Sequence, residues 1–93
     1  KIAGMAEAFQ VPVAPHIGVC TGIGMAATWQ FALTIPNLLI QEYQIKLMDG
    51  VTQLLYSSLE EKDGQLIVPD GPGLGVDVNE EVVRANTTEH WSV

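Results

Sequence analysis

The stretch that decides the fold is residues 21–43, TGIGMAATWQFALTIPNLLIQEY, and it changes character at Pro36. Ahead of the proline, Thr21 stands where it can cap a helix in which Ile23, Ala27, Phe31 and Ile35 recur every fourth residue. Proline has no amide hydrogen to give a helix interior, so Pro36 ends that helix. Beyond it Leu38, Leu39 and Ile40 form an unbroken apolar run, closed by the polar pair Gln41 and Glu42. Such a run is how a strand covered on both faces reads.

The same alternation continues toward the N-terminus. In VPVAPHIGVC, residues 11–20, Val11, Val13 and Ala14 make a second short apolar strand, held to a few residues by Pro12 and Pro15 and ending at His16 before a glycine-bearing loop. Before it, Ile2, Met5, Ala6 and Phe9 recur at helical spacing and predict a helix from about Ile2 to Phe9 that buries all four and stops short of Pro12. Helix, strand, helix, strand in this order predicts an α/β fold with parallel strands and a right-handed crossover.

The C-terminal half has a different texture. Residues 43–58 are ambiguous, weakly helical around Met48 to Leu55. Asp63-Gly64 predicts a hairpin turn between Leu59 on one side and Leu66, Ile67 and Val68 on the other. PDGPGLG, residues 69–75, predicts an irregular loop. Asn79 followed by Glu80 and Glu81 predicts a helix start, with Val82, Val83 and Ala85 turned inward.

With 93 residues there is room for one small domain. A net charge of -7, with only Lys1, Lys46, Lys62 and Arg84 against eleven carboxylates, argues against nucleic acid as a partner, because phosphates call for clustered cations. The run Ala26 to Ile40 is broken by Gln30, Thr34, Pro36 and Asn37, well short of the roughly 20 apolar residues of a membrane span. The lone Cys20 has no partner for an internal disulfide, and the chain opens KIAGMAEAFQ with no initiator Met and no signal segment. The expectation is a cytoplasmic protein whose chain starts inside a fold. Asn86-Thr87-Thr88 matches a glycosylation acceptor, an incidental match outside a secretory context.

His16 and Glu42 each sit at the carboxyl end of a predicted strand, where parallel α/β folds bind ligands. The imidazole titrates near neutrality, and a carboxyl group can hold developing negative charge through hydrogen bonds. From spacing alone, a lone histidine after a proline in a loop is more often a satisfied or solvated residue than a base, and the same holds for Glu42. GPGLGV, residues 71–76, mimics a glycine fingerprint, but Val76 stands where a third small residue belongs and no helix opens there, so turn geometry explains its glycines. Cys20 reads as a structural thiol, since nothing in its surroundings lowers its pKa. His90 and Trp91 lie in the tail, and Glu60, Glu61 and Asp63 read as solvated residues around a turn rather than a metal site.

Three segments carry a family resemblance: AEAFQVPVAPH (6–16), AATWQFALTIPNLLIQEY (26–43) and DGQLIVPDGPGLGVDVNEE (63–81). In this order they resemble the last third of an enolase-superfamily enzyme of the mandelate racemase type, most of all the acid-sugar dehydratases such as galactonate dehydratases. The resemblance implies a modified TIM barrel in which residues 11–15 and 38–42 are the seventh and eighth strands, with residues 1–93 the C-terminal part of the barrel domain and no complete domain. A whole barrel takes about 250 residues.

By the same resemblance His16 matches the histidine that moves the proton, as general base or acid, in a dyad with an aspartate from the preceding strand. Glu42 matches the carboxyl group that hydrogen-bonds the substrate carboxylate and its enediolate. A proton beside a carboxylate is barely acidic, so such an enzyme needs Mg2+ and hydrogen-bond donors to stabilise the enediolate. The three acidic magnesium ligands, the aspartate and the capping domain would all precede Lys1. HIGVCTGIG (16–24) replaces the Asn or Cys, Pro, Leu, Gly run common after that histidine in galactonate dehydratases, which leaves the particular sugar acid open.

The expectation is therefore a magnesium-dependent sugar-acid dehydratase of which this chain is a part, inactive alone and prone to form a homo-oligomer through its open strand edges. The alternatives are a racemase, epimerase or cycloisomerase of the same superfamily, or a small non-catalytic binding or assembly protein.

Overall fold

In the computed structural model, residues 1–57 and 59–88 are described. Helix α1 spans Ile2–Ala8, α2 Gly22–Thr34 and α3 Met48–Thr52, the last preceded by a 3-10 turn at Ile45–Leu47. Strands β1 (Glu60–Lys62) and β2 (Gln65–Ile67) form an antiparallel hairpin, and α4 spans Glu80–Asn86.

The two predicted parallel strands do run parallel, but they meet in a single bridge, Val13 with Leu38. Val13 N–H donates to Asn37 O at 2.8 Å, Leu39 N–H to Val13 O at 2.8 Å and Glu42 N–H to Pro15 O at 3.4 Å. Pro12 and Pro15 have no amide hydrogen, so the ladder cannot lengthen on their side. The Asn37 amide fastens this bridge to what precedes it, donating to Val11 O at 2.9 Å and to Ala3 O in α1 at 3.1 Å.

Helix α2 occupies the predicted residues and ends before Pro36, with Ile35 extended as the residue ahead of a proline should be. Its buried face is not the row of every fourth residue. Gly22, Met25, Ala26, Trp29 and Ala32 are buried, whereas Ile23, Ala27 and Phe31 are exposed. Steps of four residues advance 400° around a helix, so that row drifts about 40° per step away from any one face, while mixed steps of three and four stay aligned. Thr21 is the N-cap residue, yet its hydroxyl makes no capping hydrogen bond.

The core gathers Ile17, Met25, Ala26, Trp29, Met48, Leu55 and Leu59, with Tyr43, Val51, Leu66 and Val68 packed against it. Gly22 lets α2 approach α3 and the segment after it, since a Cβ there would lie 2.7 Å from Leu55 Cδ1 and 2.8 Å from Val51 O. The hairpin forms as predicted: Asp63 and Gly64 both take positive φ, 54° and 77°, the pairing that a primed two-residue turn requires.

Two further expectations are corrected. Helix α1 buries Ala3 and leaves Ile2, Met5 and Phe9 at 83%, 69% and 80% exposure. It closes through Gln10, whose φ is 58°, with Gln10 N–H donating to Glu7 O and Val11 N–H to Ala6 O. Helix α4 begins at the predicted cap, Asn79 Oδ1 accepting from Val82 N–H at 3.3 Å. None of its residues is buried, so Val83 and Ala85 are not inward-facing. Both helices lie at the margins of a core too small to cover them.

Candidate active site

The chain turns away from the bridge at Pro15 and Glu42, and the two residues after and at those points meet. His16 Nδ1 lies 2.8 Å from Glu42 Oε2. That oxygen also accepts Ile17 N–H at 2.6 Å, and Oε1 receives a long 3.5 Å contact from Gln44 Nε2. The glutamate side chain is 37% exposed and the imidazole 79%. Donation from the Ile17 amide holds the Glu42 carboxyl below the ordinary glutamate range, helped by His16 and the Gly18 amide and opposed by partial desolvation.

These groups border an open cleft of about 520 Å³ lined by Ala14, Pro15, His16, Ile40, Gln41, Glu42 and Tyr43. The Tyr43 ring continues into the core, 6.2 Å from Trp29 at a tilt of 37°. Gly18 takes a φ of 52°, and a Cβ built on it would stand 3.4 Å from His16 Nε2. A base and a carboxylate thus share one wall of a cleft whose remaining surface is mostly apolar. Such a pair can move a proton and stabilise the charge that results.

Sequence reasoning overlooked the glutamines beside Glu42. Gln41 Nε2 donates to Pro15 O at 3.2 Å and to Glu42 O at 3.1 Å, lashing together the two chain ends that carry the pair. The signal was the polar run QEYQ, residues 41–44, in which each glutamine could have been asked where its amide goes.

The other sequence candidates fall elsewhere. Cys20 is half-buried and burial raises its pKa, as suits an unreactive thiol. Glu61 accepts the Gly64 amide within the hairpin turn. Gly73 and Gly75 of the 69–75 loop both have positive φ, in keeping with a turn. His90 and Trp91 lie outside the described residues. Among the described residues no group of three or more His, Cys, Asp or Glu side chains is placed to hold a metal ion. No helix among them is long and apolar enough to cross a membrane.

The family model described as enolase C-terminal domain-like matches residues 1–82. The chain belongs to that enolase family. A D-galactonate dehydratase family member from Enterococcus gallinarum is 35% identical over 89 residues, covering 95% of this chain and 22% of the relative. A D-xylonate dehydratase from Haloferax volcanii is 34% identical, covering 96% and 21%. Among solved structures, a protein provisionally assigned as an L-alanine-DL-glutamate epimerase from Burkholderia xenovorans, bound to magnesium and fumarate, superimposes with a TM-score of 0.80 at 36% identity. That match covers 90% of this chain and 21% of the other. The enolase-family chain spans about a fifth of the length of the curated relatives it matches, and its fold is the α/β fold of the superfamily's C-terminal region.

Proposed function

We propose that this chain supplies the proton-transfer end of a magnesium-dependent sugar-acid dehydratase, as the last two strands of an enolase-superfamily barrel. His16 moves the proton next to the substrate carboxylate, and Glu42 holds the carboxylate or its enediolate by hydrogen bonding. The observation that carries the reading is the 2.8 Å approach of His16 Nδ1 to Glu42 Oε2 at adjoining strand ends, facing one cleft. The relatives named for galactonate and xylonate support a sugar acid as substrate. The magnesium-bound neighbour supports that ion for the reaction, held by residues outside those described here. Racemisation or epimerisation of a related acid is the second reading, favoured by the epimerase name of the same neighbour. A cytoplasmic setting suits the unpaired Cys20.

The test is a chimera in which this chain replaces the matching segment of the Enterococcus gallinarum relative. With magnesium and a panel of sugar acids, the chimera should dehydrate at least one, whereas the 93-residue chain alone should turn over none. His16→Asn in the chimera should cost on the order of a hundredfold or more in rate with the fold kept, as checked by circular dichroism. A fully active His16→Asn chimera would assign the proton to another residue.

A further inference from the structure

Aspartate is followed by glycine at 49–50, 63–64 and 70–71. Such a pair can react with itself, because a glycine has no Cβ to shield its amide nitrogen, which can close an imide ring onto the aspartate Cγ. Closing that ring sets the ψ and χ1 of the aspartate and needs the glycine N–H free of other acceptors. The three sites differ in both respects. Asp49 lies inside α3, where the helical backbone fixes its ψ. Asp63 takes a φ of 54° in the turn between the paired Lys62 and Gln65, and Glu61 Oε1 holds the Gly64 N–H at 2.5 Å. Asp70 and Gly71 are both exposed, and among the described residues neither the Asp70 C=O nor the Gly71 N–H has a hydrogen-bond partner. The loop is anchored on either side of them, by Gln30 Nε2 donating to Pro69 O at 2.6 Å and Gly75 N–H to Pro72 O at 3.0 Å. Pro69 and Pro72 fix their own φ but not the ψ of Asp70. A Cβ on Gly71 would stand 3.3 Å from Gly75 Cα, so the close approach that favours glycine there also leaves its nitrogen unshielded.

We infer that Asp70-Gly71 is the site at which this chain modifies itself, through a succinimide to isoaspartate, and that Glu61 protects the same dipeptide at Asp63-Gly64. The Gly71 nitrogen attacks Asp70 Cγ. An N–C bond forms, the C–O bond of the protonated carboxyl breaks, and the oxygen departs with the amide hydrogen as water. Water then adds to either ring carbonyl. Opening at Cγ restores aspartate, whereas opening at the former backbone carbonyl leaves the chain running through Cβ and Cγ. The product has one more main-chain atom in the segment that Gln30 ties to α2. At Asp63 the same attack must first free the Gly64 N–H from a carboxylate, which slows it by about tenfold.

The test ages the chain in warm, mildly acidic buffer, folded and in urea, and locates the altered linkage by electron-transfer fragmentation of the tryptic peptides covering residues 47–84. Each site is compared with its own rate in urea, where no fold protects it. Asp70 should react in the folded chain at close to its urea rate, and Asp63 about tenfold below its own. Glu61→Ala should return Asp63 toward its urea rate. A folded chain that spares Asp70, or in which Asp49 or Asp63 keeps pace with it, overturns the inference. An Asp63 rate unmoved by Glu61→Ala removes Glu61 as the protecting group. Should circular dichroism show Glu61→Ala unfolded, the folded and urea rates of the unsubstituted chain decide alone.

Discussion

At Glu42, two donors from the neighbouring strand end converge on a single carboxylate oxygen. The Ile17 amide, the larger cause of its depressed pKa, can donate to the ionised form at any pH, so the carboxylate is favoured more in the folded chain than in the unfolded one. The sign follows. A carboxyl with a lowered folded pKa contributes stability that is complete above the ordinary glutamate value of about 4.3 and is lost as pH falls through the depressed one. The difference in unfolding free energy between the unsubstituted chain and Glu42→Gln should therefore be widest at neutral pH and close in acid. A difference that does not vary with pH would mean the carboxylate is not the favoured form. Both His16 and Glu42 were readable as residues because a strand end announces itself in a run of apolar letters. Their contact was not readable, since it depends on Pro15 and Glu42 standing side by side.

Among the elements, α2 holds the most lessons. The helix is apolar on nearly every side, so its sequence marks where it starts and stops but not which face packs. The core selected the row containing Trp29, which is fully buried, because that row faces Met48, Leu55 and Leu59. Gly22 on this face should resist substitution. Alanine is ordinarily favoured over glycine in a helix by about 1 kcal/mol, but here its Cβ would press on Leu55 and the Val51 carbonyl, an overpacking that typically costs 1–3 kcal/mol. Gly4, in α1, has nothing within 4 Å of a built Cβ. Urea unfolding should show Gly22→Ala destabilised and Gly4→Ala unchanged or stabilised. Equal shifts for the two would remove the close approach as the cause.

Over the whole molecule, the Cα radius of gyration is 15.1 Å, against about 12 Å for a compact domain of this length. Ile2 and Met5 on α1 and Phe9 at its C-terminal cap, with Leu39 and Ile40 on the strand run, remain exposed. Exposed apolar side chains and an open strand edge recruit other chains. Sedimentation equilibrium at micromolar concentration should find a homo-oligomer that Leu39→Lys weakens, and a cooperative monomer would contradict this. Magnesium makes the opposite prediction. A ligand stabilises a fold only by binding it, and the described residues offer no three-ligand cluster, so millimolar magnesium should leave the melting temperature where matched ionic strength leaves it. A rise specific to magnesium would reveal a site within this chain.

Local chemistry settled a good deal without tertiary help. Pro36 stops a helix because it lacks an amide hydrogen, Asp63-Gly64 turns because both residues tolerate positive φ, and Asn79 caps because its side chain reaches an amide three residues on. Each of these acts within a few residues. The sequence also marked His16 and Glu42 as the ends of consecutive apolar runs. Only the tertiary structure decided which face of α2 is buried, that Ile2 and Met5 of α1 and Val83 and Ala85 of α4 stay exposed, and that Glu42 Oε2 answers His16 Nδ1 across 26 residues of chain. Those outcomes depend on which distant groups arrive alongside, and burial and hydrogen bonding are properties of that arrival rather than of any residue's own neighbours in sequence.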